Sequence, residues 1–228
     1  MSRRAQTTGR VVNLCFHGVG KPGRVLEPDE ELYWVMVEQF EEMIEVVARH
    51  ASARVTFDDG NVSDASVVLP VLAHHGLTAS FFLIADRIGQ PGSVARADVV
   101  TLIDAGMKVG LHGMHHVAWR DMDGMSMRDE LDDATVRLQE VAGHPIGQAA
   151  CPFGAYDRRT LAALRRRGFQ RVYTVDGGSA EPEAWLQSRY AVLASDTAAS
   201  IERVIRSPDS PGYRSAARKV RCLAKRWR

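Results

Sequence analysis

The chain has 228 residues, of which 45% are hydrophobic and 25% charged, with a formal net charge of +1. That suits one large soluble domain with a real core, is short for two, and gives no whole-molecule argument for nucleic acid. Cys15, Cys151 and Cys222 are odd in number and lack CxxC spacing, which argues against a disulfide frame or a zinc ribbon and predicts reduced thiols.

In chain order, MSRRAQTTGRVVNLC has basic residues but no apolar leader core, and no later run approaches the length of a membrane span. No secretory signal is expected, and the expected setting is cytoplasmic. Residues 1–10 read as an extension. Val11–Phe16 reads as a strand. Asp29–His50 reads as a helix, with Leu32, Val35, Met36, Phe40, Met43 and Val47 at helical spacing. Arg54–Phe57 is the next strand, Ser63–His74 a helix closed by Gly76, and Thr78–Ile84 a β-branched and aromatic strand. Ala97–Ala105 is helical and stops at Gly106; Lys108–Leu111 is a strand. Ser126 reads as the N-cap of a helix to about Ala142, with Asp129 and Glu130 near its first turn. Ala149–Pro152, Arg171–Val175 and Tyr190–Leu193 read as strands, and Asp157 and Asp196 as caps of the helices between and after them. This alternation predicts a parallel sheet, open or closed into a barrel, over residues 11–206, with function at the C-terminal ends of its strands.

Two motifs stand at such ends. VTFDDG (55–60) puts Asp58 and Asp59 side by side, where they repel each other. LHGMHH (111–116) puts His112 and His116 four apart, a spacing at which two imidazoles can grip one ion. One carboxylate and two histidines make a three-ligand catalytic metal site. Asp59 is then the ligand, and Asp58 stays ionised beside it as a proton acceptor. Adjacent strand residues point to opposite sides, so the strand must already be turning at Asp58, as Gly60 permits. Each motif alone is more often a turn or a pair of ordinary histidines; the two together carry the inference.

VTFDDG and GMKVGLHGMHH resemble the first two motifs of the polysaccharide deacetylases, carbohydrate esterase family four. ACPFGAYDRRTLAALRRRGF (150–169) is similar to the third motif and VYTVDGG (172–178) to the fourth, so the resemblance spans roughly residues 11 to 195. It implies a distorted (β/α)7-type barrel that removes N- or O-acetyl groups from sugars with a bound metal, Zn2+ first, with Co2+, Ni2+ or Mn2+ as alternatives. It also implies an oxyanion contact from a backbone N–H near Phe153.

Three departures matter. Gly113 stands where Ser or Thr is usual between the histidines. Ala150 stands where many members carry an arginine that steadies the base. The fifth motif, Leu-x-His, reads Leu193-Ala194-Ser195 and lacks the histidine that protonates the leaving amine. His17, at the end of the first strand, is the candidate substitute; the alternative is a histidine bonded at the edge of the core. Asp176 is a candidate to orient substrate or donor, or simply a turn residue. Trp119 and Phe153 are candidates to stack on a sugar ring, or core residues. A degenerate metal- or glycan-binding barrel, or a hydrolase of another C–N bond in a small metabolite, are the rival readings.

SPDSPG (207–212) breaks the chain before a basic segment. Residues 214–228 hold seven Lys or Arg and no acid, with Ala216, Val220, Leu223 and Trp227 on one helical face. This predicts a basic amphipathic helix over the 207–228 tail, able to touch anionic lipid; a docked helix or disordered tail is the alternative. The expected partners are an acetylated sugar or glycolipid, with the enzyme cytoplasmic and peripheral at the membrane's inner face. Nucleic acid is not expected, because the rest of the chain is net acidic.

Overall fold

The computed structural model describes residues 9–209. Seven parallel strands close into a barrel in sequence order: β1 (Val12–Phe16), β2 (Ala53–Asp59), β3 (Ala79–Leu83), β4 (Lys108–Leu111), β5 (Gln148–Ala150), β6 (Arg171–Thr174) and β7 (Leu186–Ala191), with β7 pairing back onto β1. The main helices are α1 (Val37–Ala48), α2 (Leu69–His74), α3 (Arg96–Asp104), α4 (Gly124–Met127), α5 (Ala134–Ala142), α6 (Arg158–Arg166) and α7 (Ala198–Arg206). The parallel sheet expected from strand–helix alternation closes into a barrel, the architecture the family resemblance implies.

Strand alternation sorts the side chains. Val12, Leu14, Phe16, Val55, Phe57, Phe81 and Leu83 point outward and share one core with helix residues such as Phe40, Met43, Leu72, Leu102 and Ile201. Phe57 stacks on Phe16 and Phe81, with ring centroids 5.5 and 4.9 Å apart. The lumen is different. Phe82, Ala150 and Tyr173 form a small separate apolar cluster there, and the rest of the lining is polar. Asn13 on β1 donates to Gln187 on β7 at 3.0 Å, and Thr56 donates to the Leu14 carbonyl at 2.9 Å.

Four local expectations change. The 29–50 helix splits into a single turn, Glu30–Tyr33, and α1 from Val37. Between them Val35 bridges to Val19, and Trp34 lies flat on Gly18, where a Cβ would fall 2.2 Å from its ring. Leu32 and Met36 are exposed as a result. The cap of α4 is Asp123, which accepts from the Ser126 N–H at 2.7 Å, not Ser126 itself. α7 is capped by Thr197, while Asp196 accepts from the Leu193 N–H and the Ser200 hydroxyl. β7 begins at Leu186, four residues before the expected start at Tyr190. The expected basic helix and most of the N-terminal extension lie outside the described residues. Among those described, no helix is long and apolar enough to cross a membrane.

Candidate functional site

β2 ends in the Asp58–Asp59 pair. Asp58 continues the strand pattern and faces the lumen. Asp59 takes a left-handed φ of 78° and Gly60 one of 75°, so the chain rolls over and the second carboxylate reaches the same mouth. The turn expected at Asp58 begins instead at Asp59, in a conformation that aspartate tolerates better than most residues. Beyond β4, the His112 N–H donates to the Leu83 carbonyl at 2.9 Å, and the chain turns at Gly113 and again at His116, whose φ is 58°.

These two turns bring three side chains together. Asp59 Oδ1 lies 3.5 Å from His112 Nε2 and 3.4 Å from His116 Nε2. The ligand atoms of Asp59, His112 and His116 all fall within 4.8 Å of one another. Asp59 Oδ1 is buried and has no hydrogen-bond partner, an arrangement that costs energy unless something cationic meets it. Both imidazoles are engaged at the other nitrogen: His112 Nδ1 with the Ala150 carbonyl at 2.9 Å, His116 Nδ1 with Glu27 at 3.0 Å. With Nδ1 engaged in this way, Nε2 is the nitrogen that each ring turns toward Asp59. The set fits a divalent cation in number, kind and direction of donors.

A buried glutamate shapes the histidine turn. Glu130, carried on the wide helical turn between α4 and α5, accepts from the N–H groups of Met114 (3.1 Å) and His115 (3.0 Å) and from Trp119 Nε1 (3.2 Å). A Cβ at residue 113 would sit 2.2 Å from Glu130 Oε2, and the φ there is +86°. Both the left-handed φ and the nearby carboxylate favour glycine at 113 on this backbone.

Asp58 has a partner that the sequence reading missed. Arg189 on β7 grips it with two parallel bonds, 2.6 Å to Oδ1 and 2.7 Å to Oδ2. The guanidinium is fully buried and lies over the rings of Phe82 and Tyr173, 5.4 and 5.8 Å from their centroids. It also donates to Thr56 and to the Thr174 carbonyl. Ala150 belongs to the same small lumen cluster as those two rings. The arginine missing at 150 thus has a counterpart entering from another strand. Burial works to raise the Asp58 pKa, but Arg189, with His112 adding to it, outweighs burial and holds the carboxyl well below the usual range. The Cys15 thiol lies 3.3 Å from Asp58 Oδ2, and burial pushes its pKa up. For Asp59, burial is outweighed by His17, His116 and His112, and its pKa is lowered. Burial lowers His112 to about 4.

His17 directly follows β1, the strand next to β7 in the closed barrel. Its ring approaches Asp58 and Cys15 closely enough that donor atoms of all three lie within 4.8 Å. His17 Nδ1 is buried without a partner, so the alternative of a histidine satisfied by backbone does not describe that nitrogen. Phe153 sits at φ 54° on the Pro152–Gly154 turn, 62% exposed, with its ring 4.3 Å from that of His116. Asp176 is buried and accepts from the Tyr156 hydroxyl (2.6 Å) and Thr174 (3.0 Å), which ties the Phe153 loop to the tip of β6 and leaves Asp176 a bracing position. Trp119 is corrected: its ring is fully buried and presents no face to a sugar. His115 is half exposed and pairs with Asp129 and Asp86, outside the ligand set.

A sequence model described as polysaccharide deacetylase matches residues 47–172. The Bacillus subtilis protein YxkH, which bears a polysaccharide deacetylase name, is 23% identical over 141 residues, 62% of this chain and 50% of YxkH. The chain thus spans about half the length of that curated relative. Among solved structures, the Streptococcus pyogenes deacetylase PplD in complex with acetate is similar with a TM-score of 0.75 and 16% identity, over 86% of this chain and 98% of PplD. IcaB from Ammonifex degensii gives a TM-score of 0.67 and 21% identity, over 85% and 96%. BC0361, a polysaccharide deacetylase from Bacillus cereus, gives 0.74 and 18%, over 86% and 69%. At these identities the structural likeness speaks for the fold.

Proposed function

Given that this chain belongs to the polysaccharide deacetylase family, we propose that it is a metal-dependent hydrolase that removes acetyl groups from an N-acetylated or O-acetylated sugar. The observation that carries the proposal is the convergence of Asp59, His112 and His116 on one buried, unpartnered carboxylate oxygen, with an ionised Asp58 beside them.

A divalent cation held by Asp59, His112 and His116, with Zn2+ the first candidate, would polarise the acetyl carbonyl and lower the pKa of the attacking water. The chain's own groups do the rest. Asp58 accepts the proton of that water, and Arg189 keeps it charged and fixed in direction. His17 donates a proton to the departing amine from the strand tip next to the one that lacks the fifth-motif histidine. A backbone N–H of the Phe153 turn faces the developing oxyanion, and the exposed Phe153 ring offers a stacking surface for a sugar.

The test is acetate release from N- and O-acetylated oligosaccharides, by protein stripped with chelator and then given Zn2+ or Co2+. Asp58→Asn should lower kcat by about 10²–10⁴-fold; an unchanged rate removes the role given to Asp58. A protein that binds metal and glycan but releases no acetate is the binding barrel instead. Release from small acetylated metabolites alone places the substrate in that class. We further place the enzyme in the cytoplasm, at the inner membrane face, acting on a soluble or lipid-linked glycan; the motive is the charge pattern of residues 214–228. Deleting those residues should abolish binding to vesicles of anionic lipid and spare soluble-sugar turnover. Unchanged vesicle binding refutes the membrane part.

A further inference from the structure

Resting on the metal-centre reading above, we infer that Glu27 is a positioning residue that fixes His116 as a metal ligand. The loop between β1 and α1 supplies no ligand itself, yet it touches both turns that do. Glu27 Oε2 lies 3.0 Å from His116 Nδ1, and Oε1 pairs with Arg87, four residues past β3. The Glu27 N–H donates to Glu30 Oε2 at 2.8 Å. Glu30 is held by both terminal nitrogens of Arg24, one of them at 2.8 Å, and Arg24 also donates to Asn61 Oδ1 at 3.0 Å. Asn61 stands two residues after Asp59. The loop therefore braces the histidine turn at one end and the aspartate turn at the other.

His116 needs such a brace more than His112 does. Its φ of 58° is a left-handed conformation that costs a non-glycine residue energy and persists only when its surroundings enforce it. Its side chain is 10% exposed against 2% for His112, so packing alone confines it less. His112 Nδ1 meets only a neutral carbonyl. His116 Nδ1 meets a carboxylate, which fixes the tautomer and makes Nε2 the stronger donor to a cation. No motif of the sequence marks Glu27; it is one acid among several in the stretch EPDEE.

The experiment is titration of chelator-stripped full-length protein with Co2+ alone, followed by visible absorbance, for wild type, Glu27→Gln and Glu31→Gln. Glu31 is an exposed neighbour and serves as the charge control. Glu27→Gln should weaken Co2+ binding by about 10–100-fold, while Glu31→Gln matches wild type. Metal-free Glu27→Gln should lose only a little of the wild-type midpoint, with the metal-induced rise in midpoint reduced by clearly more. Binding by Glu27→Gln within twofold of wild type overturns the inference and leaves the metal centre standing. A metal-free variant destabilised as much as the metal-bound one makes Glu27 a structural brace and also overturns it. A wild type that binds no Co2+ fails at the ligand set and takes this inference with it.

Discussion

Arg189→Met tests the centre of the site without touching any metal ligand. The replaced guanidinium makes two bonds of 2.6 and 2.7 Å to Asp58, and both side chains are at most 3% exposed. Methionine keeps most of the volume but leaves a buried carboxylate unpaired, which costs about 3–5 kcal/mol. That is a large share of the roughly 5–15 kcal/mol that holds a typical domain together. The assay is urea unfolding of chelator-stripped protein at pH 7, with Asp58→Asn/Arg189→Met alongside. The double variant should recover much of the loss, because no charge is then stranded. The pH dependence has a definite sign. In the wild type the folded pKa of Asp58 lies below its unfolded value of about 3.9, so the pair's stabilisation is full above that value and is lost as pH falls through the folded pKa. Without Arg189 the influence opposing burial most strongly is gone, the Asp58 pKa rises, and the deficit shrinks as pH falls and the carboxyl takes up a proton. A deficit under about 1 kcal/mol at pH 7, or one unchanged by the second substitution, would refute a pair formed as described.

Three further outcomes are expected. Gly113→Ala forces a left-handed residue costing about 1–2 kcal/mol and drives a methyl into Glu130 Oε2; it should lower both the melting temperature and Co2+ affinity, and wild-type values for both would contradict the geometry. Asp64 is fully buried, and burial, then Asp59 and Asp58, push its pKa well up against the opposing pull of the Asn61 backbone. A carboxyl raised in the folded state costs nothing below its unfolded pKa and costs about 1.4 kcal/mol per pH unit above it, until the folded pKa is passed. Asp64→Asn should therefore be more stable than wild type at pH 7 and equal near pH 4, as read from unfolding midpoints; equal stability at both is the contrary result. Trp119→Phe removes a buried bond to Glu130 and should cost about 1–3 kcal/mol without changing KM for an acetylated sugar. A raised KM at unchanged stability would give the ring back to the substrate.

The parallel strands were legible because outward-facing residues such as Val12, Leu14, Phe57, Phe81 and Leu83 must be apolar to meet the helices, while closure into a barrel came only from the family resemblance. The ligand set was legible because Asp59, His112 and His116 sit in local patterns at strand ends, and the ends of parallel strands share one mouth. Arg189 was not legible. Its strand, Leu-Gln-Ser-Arg-Tyr-Ala, turns Gln187 and Arg189 into a polar lumen, so the apolar alternation that announces a strand is absent. The available signal was the unfilled arginine role at Ala150, which invited a search for a counterpart on another strand. Glu130 read as an ordinary acid near the first turn of a helix, where a favourable dipole explains it away; nothing local says that the helix widens there and turns the carboxylate inward. Glu27 contacts His116 across 89 residues of chain, a separation at which no periodicity carries information.

The contact between Gly113 and Glu130 has a consequence for variation at this site. A side chain at residue 113 and the Glu130 carboxylate compete for one volume, so a Cβ there requires the carboxylate to shift. A Ser or Thr there would push the carboxylate away from the N–H groups of Met114 and His115 that it now accepts from. The two positions are thus mechanically joined, and bulk added at one is felt as lost hydrogen bonding at the other.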